Sequence, residues 1–296
     1  MSSIVPAPLQ PEEGEQGLLS LGVDEIGQRT ITAWTLFSDL IASVDLAGPS
    51  RSRRKSAKDL VIEVGQWPDS RTIDSMRADA LGGRVVTEPL SDLSERLRRT
   101  HRDEGAAAVR AAVGRALNQT EDWFTRSAAS QAHWITPSPL GPLPMATVVH
   151  AAVYQLAVVA RDLAPAGAPE SRELELLGLA ALVDSSGAVA ARVGATATIS
   201  AYTPDHAIGT GTMRGSWRTA PVPTDADRSP GIEAPVGLIL DLTAGRVDFL
   251  SVGRRVRLHQ PRALMPMSVI LDDLPELPAA PLLKRAARTA RFISRS

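Results

Sequence analysis

The chain contains no cysteine, and this absence excludes several kinds of chemistry at once. Without a thiol of its own, the protein has no disulfide bond, no thiolate metal ligand and no cysteine nucleophile. Any thiol chemistry would therefore need a thiol that a cofactor brings to the protein.

The chain also lacks an excess of charge of either sign. Its 32 Lys and Arg residues and 33 Asp and Glu residues leave a formal net charge of -1. A nearly neutral protein has no overall field that would attract nucleic acid or an anionic membrane. We therefore expect no nucleic-acid partner, and binding to a charged surface would have to be local.

The first residues lack the pattern of a secretory signal. The first basic residue is Arg29, and no apolar run follows Met1. We therefore expect a cytoplasmic protein. The stretch from Leu140 to Ala160 is apolar enough to suggest a membrane span, but it contains His150 and Gln155 and begins among prolines. A helix at the centre of a bundle, apolar on all sides, explains this stretch better.

Length and composition allow more than one domain. The 296 residues, of which 44% are hydrophobic, suffice for one large or two ordinary globular domains. We predict two. Most basic residues are Arg and the chain is rich in Ala, a composition typical of GC-rich genomes such as those of actinobacteria.

Apolar residues recur at spacings of three and four along the first half of the chain, which predicts long helices. The second of these helices begins after Ser56, a suitable N-cap, and the fourth begins near Pro144. Residues 1–28 are rich in Pro, Glu and Gly and predict a disordered, mobile arm. Over residues 29–168 the pattern predicts an up-and-down bundle of four long helices.

After Gly194 the apolar residues alternate with a period near two, which predicts strands. Residues 195–202 and 209–217 have the pattern of a hairpin whose turn spans residues 203–206. The simplest structure for this part of the chain is therefore a pair of antiparallel strands.

Helix signals surround this hairpin. Residues 173–192 are predicted to be largely helical, with an interruption at residues 185–187, and residues 232–258 mix strand and helix signals. We therefore predict a small α+β domain over residues 169–280, followed by a basic amphipathic tail at residues 281–296.

Three segments carry a resemblance to a known family. The loop Ser138-Pro139-Leu140-Gly141-Pro142-Leu143-Pro144 leads into an apolar helix that ends with Val158-Val159-Ala160-Arg161-Asp162-Leu163. This segment resembles the part of the mycothiol-dependent maleylpyruvate isomerase family that carries two of three metal ligands. Residues 56–67 resemble the helix with the third ligand, and residues 231–246 resemble a helix of the sterol-carrier-like domain. The resemblance implies a DinB-like helical bundle followed by a sterol-carrier-like α+β domain.

The family's metal ligands are two histidines and one glutamate. The resemblance places Glu63, Gln155 and Val159 at those three positions. Valine has no lone pair, and a neutral amide oxygen is a poor zinc ligand. The resemblance therefore implies a metal-free site, and zinc becomes an alternative only if the alignment is displaced.

Residues around these positions form the predicted pocket: Glu63, Trp67, His150, Gln155, Val159 and Asp162. Glu63 and Gln155 could meet inside the bundle, where burial would raise the pKa of Glu63 and make it the candidate catalytic residue. The other interpretation is a satisfied polar pair, or a glutamate that faces solvent. For His150, we favour a core histidine over a ligand. His101, His133, His206 and His259 show no ligand spacing.

These features predict a pseudoenzyme related to the maleylpyruvate isomerases, without metal or catalysis, that binds a small ligand or a protein partner in an interdomain pocket. One alternative is a mycothiol-dependent isomerase or thiol transferase with Glu63 as its base. Another is a carrier of an apolar ligand in the second domain. Contact of the basic residues in 282–295 with a membrane surface is a further alternative.

Overall fold

The structure is a computed structural model that describes residues 5–52, 54–83, 89–224 and 228–260. These residues form two compact units. One unit is Gly22–Gly178, and the other combines the described residues among 1–21 and 179–296. The first unit is built mainly from helices and the second holds a five-stranded sheet, so the chain belongs to the α+β class.

The helical unit follows the chain order α1 (Val23–Ala42), α2 (Ala57–Val64), α3 (Ile73–Gly82), α4 (Leu90–His101), α5 (Ala106–Arg126), α6 (Ala128–Gln131) and α7 (Met145–Asp162). Two short strands, β1 (Ile135–Thr136) and β2 (Leu143–Pro144), pair antiparallel ahead of α7. A 3₁₀ helix (Ala164–Ala166) follows α7, and the long helix α8 (Arg172–Arg192) begins in this unit.

Helix α7 lies in the middle of the unit. It begins directly after Pro144, and its side chains are buried along most of its length. Helix α1 packs against α5 and α7, while α2 packs against α4, α5 and α7. The largest fully buried side chains here are Ile26, Phe37, Ile41, Leu60, Ile62, Met145, Leu156, Leu163 and Leu174. The prediction of an apolar central helix that starts near Pro144 is confirmed.

The predicted bundle of four long helices is simpler than the observed unit. Its four helices correspond to α1, α2, α5 and α7, but α2 has only 8 residues. Residues 69–100, which have no clear periodicity, add α3 and α4. Each begins at a recognisable start: Thr72 caps α3 through a hydrogen bond from the Ser75 amide, and α4 follows Pro89.

The second unit contains β3 (Ala197–Tyr202), β4 (Ala207–Met213), β5 (Ser216–Pro221), β6 (Gly231–Glu233) and β7 (Arg257–His259). The strand order is β5-β4-β3-β6-β7, and only the pair β3 and β6 is parallel. Helices α9 (Val236–Thr243) and α10 (Phe249–Val252) and 3₁₀ helices at Ala7–Leu9, Gly17–Leu21 and Gly253–Arg255 complete the described part of this unit.

The predicted hairpin is confirmed in its first half and wrong in its second. Strands β3 and β4 pair antiparallel around a turn at residues 203–206. The strand predicted to run through residue 217 instead ends at Met213, because Arg214 and Gly215 adopt φ angles of 52° and 82°. Two consecutive residues with positive φ make the tight turn that suits a two-residue hairpin, so β5 starts at Ser216.

The predicted break within α8 is also wrong. The hydroxyl of Ser185 donates to the Ala181 carbonyl at 2.6 Å, and that of Ser186 donates to the Leu182 carbonyl at 2.7 Å, so both serines bond back onto the helix. Gly187 allows close approach to the sheet, because a Cβ there would lie 2.2 Å from Thr210 Oγ1.

The composition of residues 1–28 predicts a mobile arm, but residues 5–21 pack within the second unit. Leu9, Leu18 and Leu19 are buried, and the Trp217 amide donates to the Glu15 carbonyl at 3.0 Å. Composition is a poor guide here because the few apolar residues of the segment pack on a sheet about 200 residues later in the chain.

One described helix, Arg172–Arg192, is long and apolar enough to cross a membrane by length and composition. Within its most apolar window, 78% of the residues are buried inside the protein. That burial is typical of a core helix in a soluble protein. The predicted basic tail at residues 281–296 lies outside the described residues.

Candidate functional site

Glu63 lies in α2, and two cations hold its carboxylate. The side chain is 6% exposed. Lys55 Nζ lies 2.7 Å from Oε1 and donates to Oε2 at 2.8 Å, while Arg98 Nε lies 2.9 Å from Oε1. Lys55 directly precedes Ser56, the N-cap of α2, whereas Arg98 comes from α4. Both oxygens of the carboxylate therefore face positive charge.

The other two predicted ligand positions lie on α7, and they differ in environment. Gln155 is exposed, whereas Val159 is buried. The structure therefore does not bring the amide of Gln155 to the buried carboxylate of Glu63. Arg161, near the end of the same helix, forms an ion pair with Glu175.

The surroundings of Glu63, Gln155 and Val159 show whether these side chains could bind a zinc ion. Glu63 already binds two cations, Gln155 presents a neutral amide to solvent, and Val159 has no donor atom. A zinc site needs several lone pairs directed at one point. In the part of the chain that the structure describes, no group of three or more His, Asp or Glu residues could hold a metal. The three residues that the resemblance places at ligand positions therefore do not fit the metal.

Trp67 belongs to a polar cluster that the sequence did not indicate. Its indole stacks on His101, with ring centroids 4.0 Å apart and an angle of 16° between the planes. His101 Nε2 lies 2.8 Å from Asp69 Oδ1, and Arg96 donates to Asp69 Oδ2 at 2.9 Å. Partial burial raises the pKa of Asp69, but the bond to His101 and the charges of His101 and Arg96 outweigh it and leave the pKa below its usual value.

This cluster ties the end of α2 to α4. Asp69 follows α2, while Arg96 and His101 lie on α4. A separation of 32 positions between His101 and Asp69 gave the pair no recognisable spacing in the sequence. Since α4 also supplies Arg98 to Glu63, the two groups of ion pairs together hold this helix in place.

His150 is a core residue on α7, in agreement with the favoured interpretation. It is 1% exposed, and its Nδ1 lies 2.9 Å from the hydroxyl of Thr30. Because Thr30 donates its own proton to the Ile26 carbonyl at 2.7 Å, we infer that Nδ1 carries the hydrogen and donates to Thr30. Burial, with a smaller contribution from Arg29, lowers the pKa of His150 to about 3. The ring is therefore neutral at physiological pH.

A pocket of about 230 Å³ opens at the C-terminal end of α7. Its walls combine small apolar side chains with an ion pair between Arg161 and Glu175. None of the six predicted pocket residues lines it, but Arg161, which does, lies in the last turn of α7, the helix that carries the resemblance. Asp162 lies next to this wall, is fully buried, and accepts a backbone hydrogen bond from Arg51 at 2.9 Å.

Comparisons with known proteins identify a distant fold relationship. No protein-family model matches the chain, and no curated protein matches it. Two solved structures are similar, a mycothiol-dependent maleylpyruvate isomerase and a histidine-to-alanine mutant of that enzyme. Each has a TM-score of 0.52 and 11% identity, over 78% of this chain and 92% of the other. At such low identity, the likeness concerns the fold alone.

Proposed function

We propose that this protein is a metal-independent, non-catalytic binding protein on an isomerase-like fold, and that its helical unit binds a small ligand at the end of α7. The observation that supports it most is the environment of Glu63. Its carboxylate stands where the resemblance places a metal ligand, and Lys55 and Arg98 hold it.

The same ion pairs argue against Glu63 as a general base. A catalytic base needs an oxygen within hydrogen-bond reach of the substrate proton that it removes. Oε2 of Glu63 accepts a hydrogen bond from Lys55, and Oε1 lies at ion-pair distance from Lys55 and Arg98, although no described residue donates a hydrogen bond to it. These contacts suit a carboxylate that fastens α4 to α2 better than one that moves a proton.

The pocket at the end of α7 suits a small ligand with an apolar body and one carboxylate. Ala157, Ala160 and Leu174 supply apolar wall, which is what most small-molecule sites present. Arg161 supplies a guanidinium that already binds the carboxylate of Glu175. A ligand carboxylate could replace Glu175 there, because a guanidinium binds carboxylates through paired hydrogen bonds.

Purified, untagged protein is expected to contain no stoichiometric zinc, and neither zinc nor a chelator should change its melting temperature. Glu63→Gln is expected to lower the free energy of unfolding by about 1–3 kcal/mol, because it leaves Lys55 and Arg98 without their charged partner. Metal content by plasma mass spectrometry and urea unfolding measure both effects.

Glu25→Gln is the matched control for this variant. Glu25 forms an exposed ion pair with Arg29 within α1, and such pairs contribute little to stability. One equivalent of bound zinc that raises the melting temperature would contradict the proposal.

Ala164→Phe is expected to weaken the binding of small carboxylates at the end of α7 by about tenfold or more, because the new ring fills the rim of the pocket. Ala164 is exposed, so the fold should tolerate the ring. Isothermal calorimetry with benzoate and short aliphatic carboxylates measures the effect. Ala78→Phe, an exposed alanine on α3, is the control. If no carboxylate binds the unmodified protein, the pocket is not the site.

The fold relationship favours one other candidate, a mycothiol-dependent isomerase or thiol transferase. On this hypothesis the chain turns over a substrate in the presence of mycothiol, and Glu63→Gln loses that activity while keeping its melting temperature. The binding-protein proposal predicts the reverse for this variant, no activity to lose and a lower stability.

A further inference from the structure

One face of the sheet in the second unit presents three rows of paired residues whose polarity changes along the strands. The rows are Tyr202 with Ala207, then Ser200 with Gly209 and Ala220, then Thr198 with Gly211 and Arg218. Directly paired residues of antiparallel strands project to the same face, and rows two residues apart lie about 7 Å from each other. The face therefore runs from an apolar end, past two hydroxyls, to a cation.

The start of the N-terminal arm, defined here as residues 5–21, covers this face around Val5 and Leu9. Val5 and Leu9 pack with the apolar row around Tyr202. A Cβ at Gly211 would lie 2.2 Å from the Leu9 carbonyl oxygen, and a Cβ at Gly209 would lie 2.8 Å from Leu9 Cδ1. The two glycines thus form a cradle, and the arm fills it.

The arm leaves polar groups beneath it without partners. Among the described residues, Thr198 Oγ1 and Ser200 Oγ are buried and have no hydrogen-bond partner, and their side chains are 2% and 0% exposed. A Cβ at Gly209 would contact both Ser200 Oγ and Leu9 Cδ1, so a hydroxyl and an apolar methyl meet at that point. An occupant with oxygen atoms here would satisfy groups that Leu9 cannot.

At the cationic end, the arm is held by ion pairs at the protein surface. Arg218 donates to both oxygens of Glu15, at 2.8 and 3.0 Å, and lies 3.5 Å from a carboxylate oxygen of Glu12. The side chain of Arg218 is 31% exposed. Ion pairs accessible to water contribute little, so this end of the arm can exchange with another carboxylate.

We propose that this face of the sheet is a ligand-binding site, that the arm occupies it as an internal substitute, and that the ligand is an aliphatic carboxylic acid with hydroxyl or keto oxygens along its chain. The ligand carboxylate binds Arg218 in place of Glu15. Its chain oxygens bond to Thr198 and Ser200, and its apolar end lies against Tyr202. Binding requires Leu9 to leave the cradle.

The test compares the full-length protein with Leu9→Asp, using hydroxydecanoate as the probe in calorimetry. A carboxylate at this fully buried position disfavours the docked arm. The apparent affinity of a covered site is its intrinsic affinity multiplied by the fraction of molecules in which the site is open. Leu9→Asp increases that fraction, so affinity for the probe is expected to rise by about tenfold or more. In the same background, Arg218→Gln should abolish binding. Decanoate, without the hydroxyl, and decanediol, without the carboxylate, should both bind more weakly.

Several results would overturn the proposal. One is a Leu9→Asp protein that unfolds cooperatively and keeps its helical circular dichroism but does not bind hydroxydecanoate. If Leu9→Asp does not fold, the double variant Glu12→Gln with Glu15→Gln replaces it. That variant removes only the ion pairs between the arm and Arg218 and leaves Leu9 in place. Unchanged probe affinity in that variant would equally refute the role of the arm.

A second variant separates this site from the pocket at the end of α7. Ala164→Phe lies in the helical unit and should leave hydroxydecanoate binding unchanged. If it abolishes binding, the probe occupies the other pocket and the sheet site is rejected. If binding persists there while benzoate binding is absent from the unmodified protein, the sheet site stands and the function proposed for α7 fails.

Discussion

Asp184→Ala is expected to lower the free energy of unfolding of the second unit by at least about 3 kcal/mol. Asp184 lies on α8 and is 0% exposed. Its Oδ1 accepts hydrogen bonds from the Leu18 amide at 3.0 Å, from Trp217 Nε1 at 3.1 Å and from the Thr219 hydroxyl at 2.7 Å. Alanine would leave all three buried groups without this acceptor, and each such group costs about 1–3 kcal/mol.

Asp184→Asn is the informative comparison. Burial raises the pKa of Asp184, and although the hydrogen bonds from Leu18, Thr219 and Trp217 oppose this effect, the pKa stays above its usual value. The other oxygen, Oδ2, has no hydrogen-bond partner among the described residues. Asparagine keeps the acceptor oxygen, so we expect a loss of only about 1 kcal/mol.

Urea unfolding followed by circular dichroism measures both variants. The loss predicted for alanine is a large part of the total stability of an ordinary domain, about 5–15 kcal/mol. Equal losses for alanine and asparagine would mean that the carboxylate charge, and not the acceptor oxygen, holds the site together. Asp184→Ala should also release the N-terminal arm, because the Leu18 amide is one of the three donors to Asp184.

Acidification is expected to destabilise the helical unit through His150. In the folded protein its pKa is about 3, compared with an ordinary value of 6.5. The unfolded chain therefore binds the proton first as the pH falls. The stability due to the neutral ring is complete above about pH 6.5 and is lost progressively toward pH 3, at up to about 1.4 kcal/mol per pH unit. The full loss is on the order of 5 kcal/mol.

His150→Gln isolates this effect from the carboxylates that also titrate in acid. Glutamine removes the titration but can still donate to Thr30. The difference in unfolding free energy between the unmodified protein and this variant should shift by about 3 kcal/mol in favour of the variant between about pH 7 and about pH 4. Urea unfolding at several pH values measures it.

Parallel profiles for the unmodified protein and His150→Gln would show that the buried ring does not control acid stability.

Helix starts and turns could be predicted from the sequence, because residues that are neighbours along the chain determine them. Pro144 lacks an amide donor and suits a helix start, and α7 begins directly after it. The turn at residues 203–206 lies between two runs with alternating polarity, and β3 and β4 pair around it. The absence of donor atoms at Val159 also needs no structure.

The candidate site depended on contacts between distant residues, which no spacing indicates. Arg98 reaches Glu63 from another helix, and His101 stacks on Trp67 while it binds Asp69. The exposure of Gln155 likewise follows from how α7 packs and not from its neighbours in the chain. The resemblance predicts a pocket built on Glu63 and Gln155, but the structure does not join the two.

The sequence by itself determined the class of the fold, the course of its central helix and the absence of a donor atom at Val159, because helix periodicity and side-chain chemistry are local properties. Only the tertiary structure decided that Glu63 is neutralised by two cations, that His150 is sealed in the core, and that the N-terminal arm lies on a glycine cradle. Each of these depends on which surfaces become buried against each other, and burial sets the charge state and the partners of polar groups.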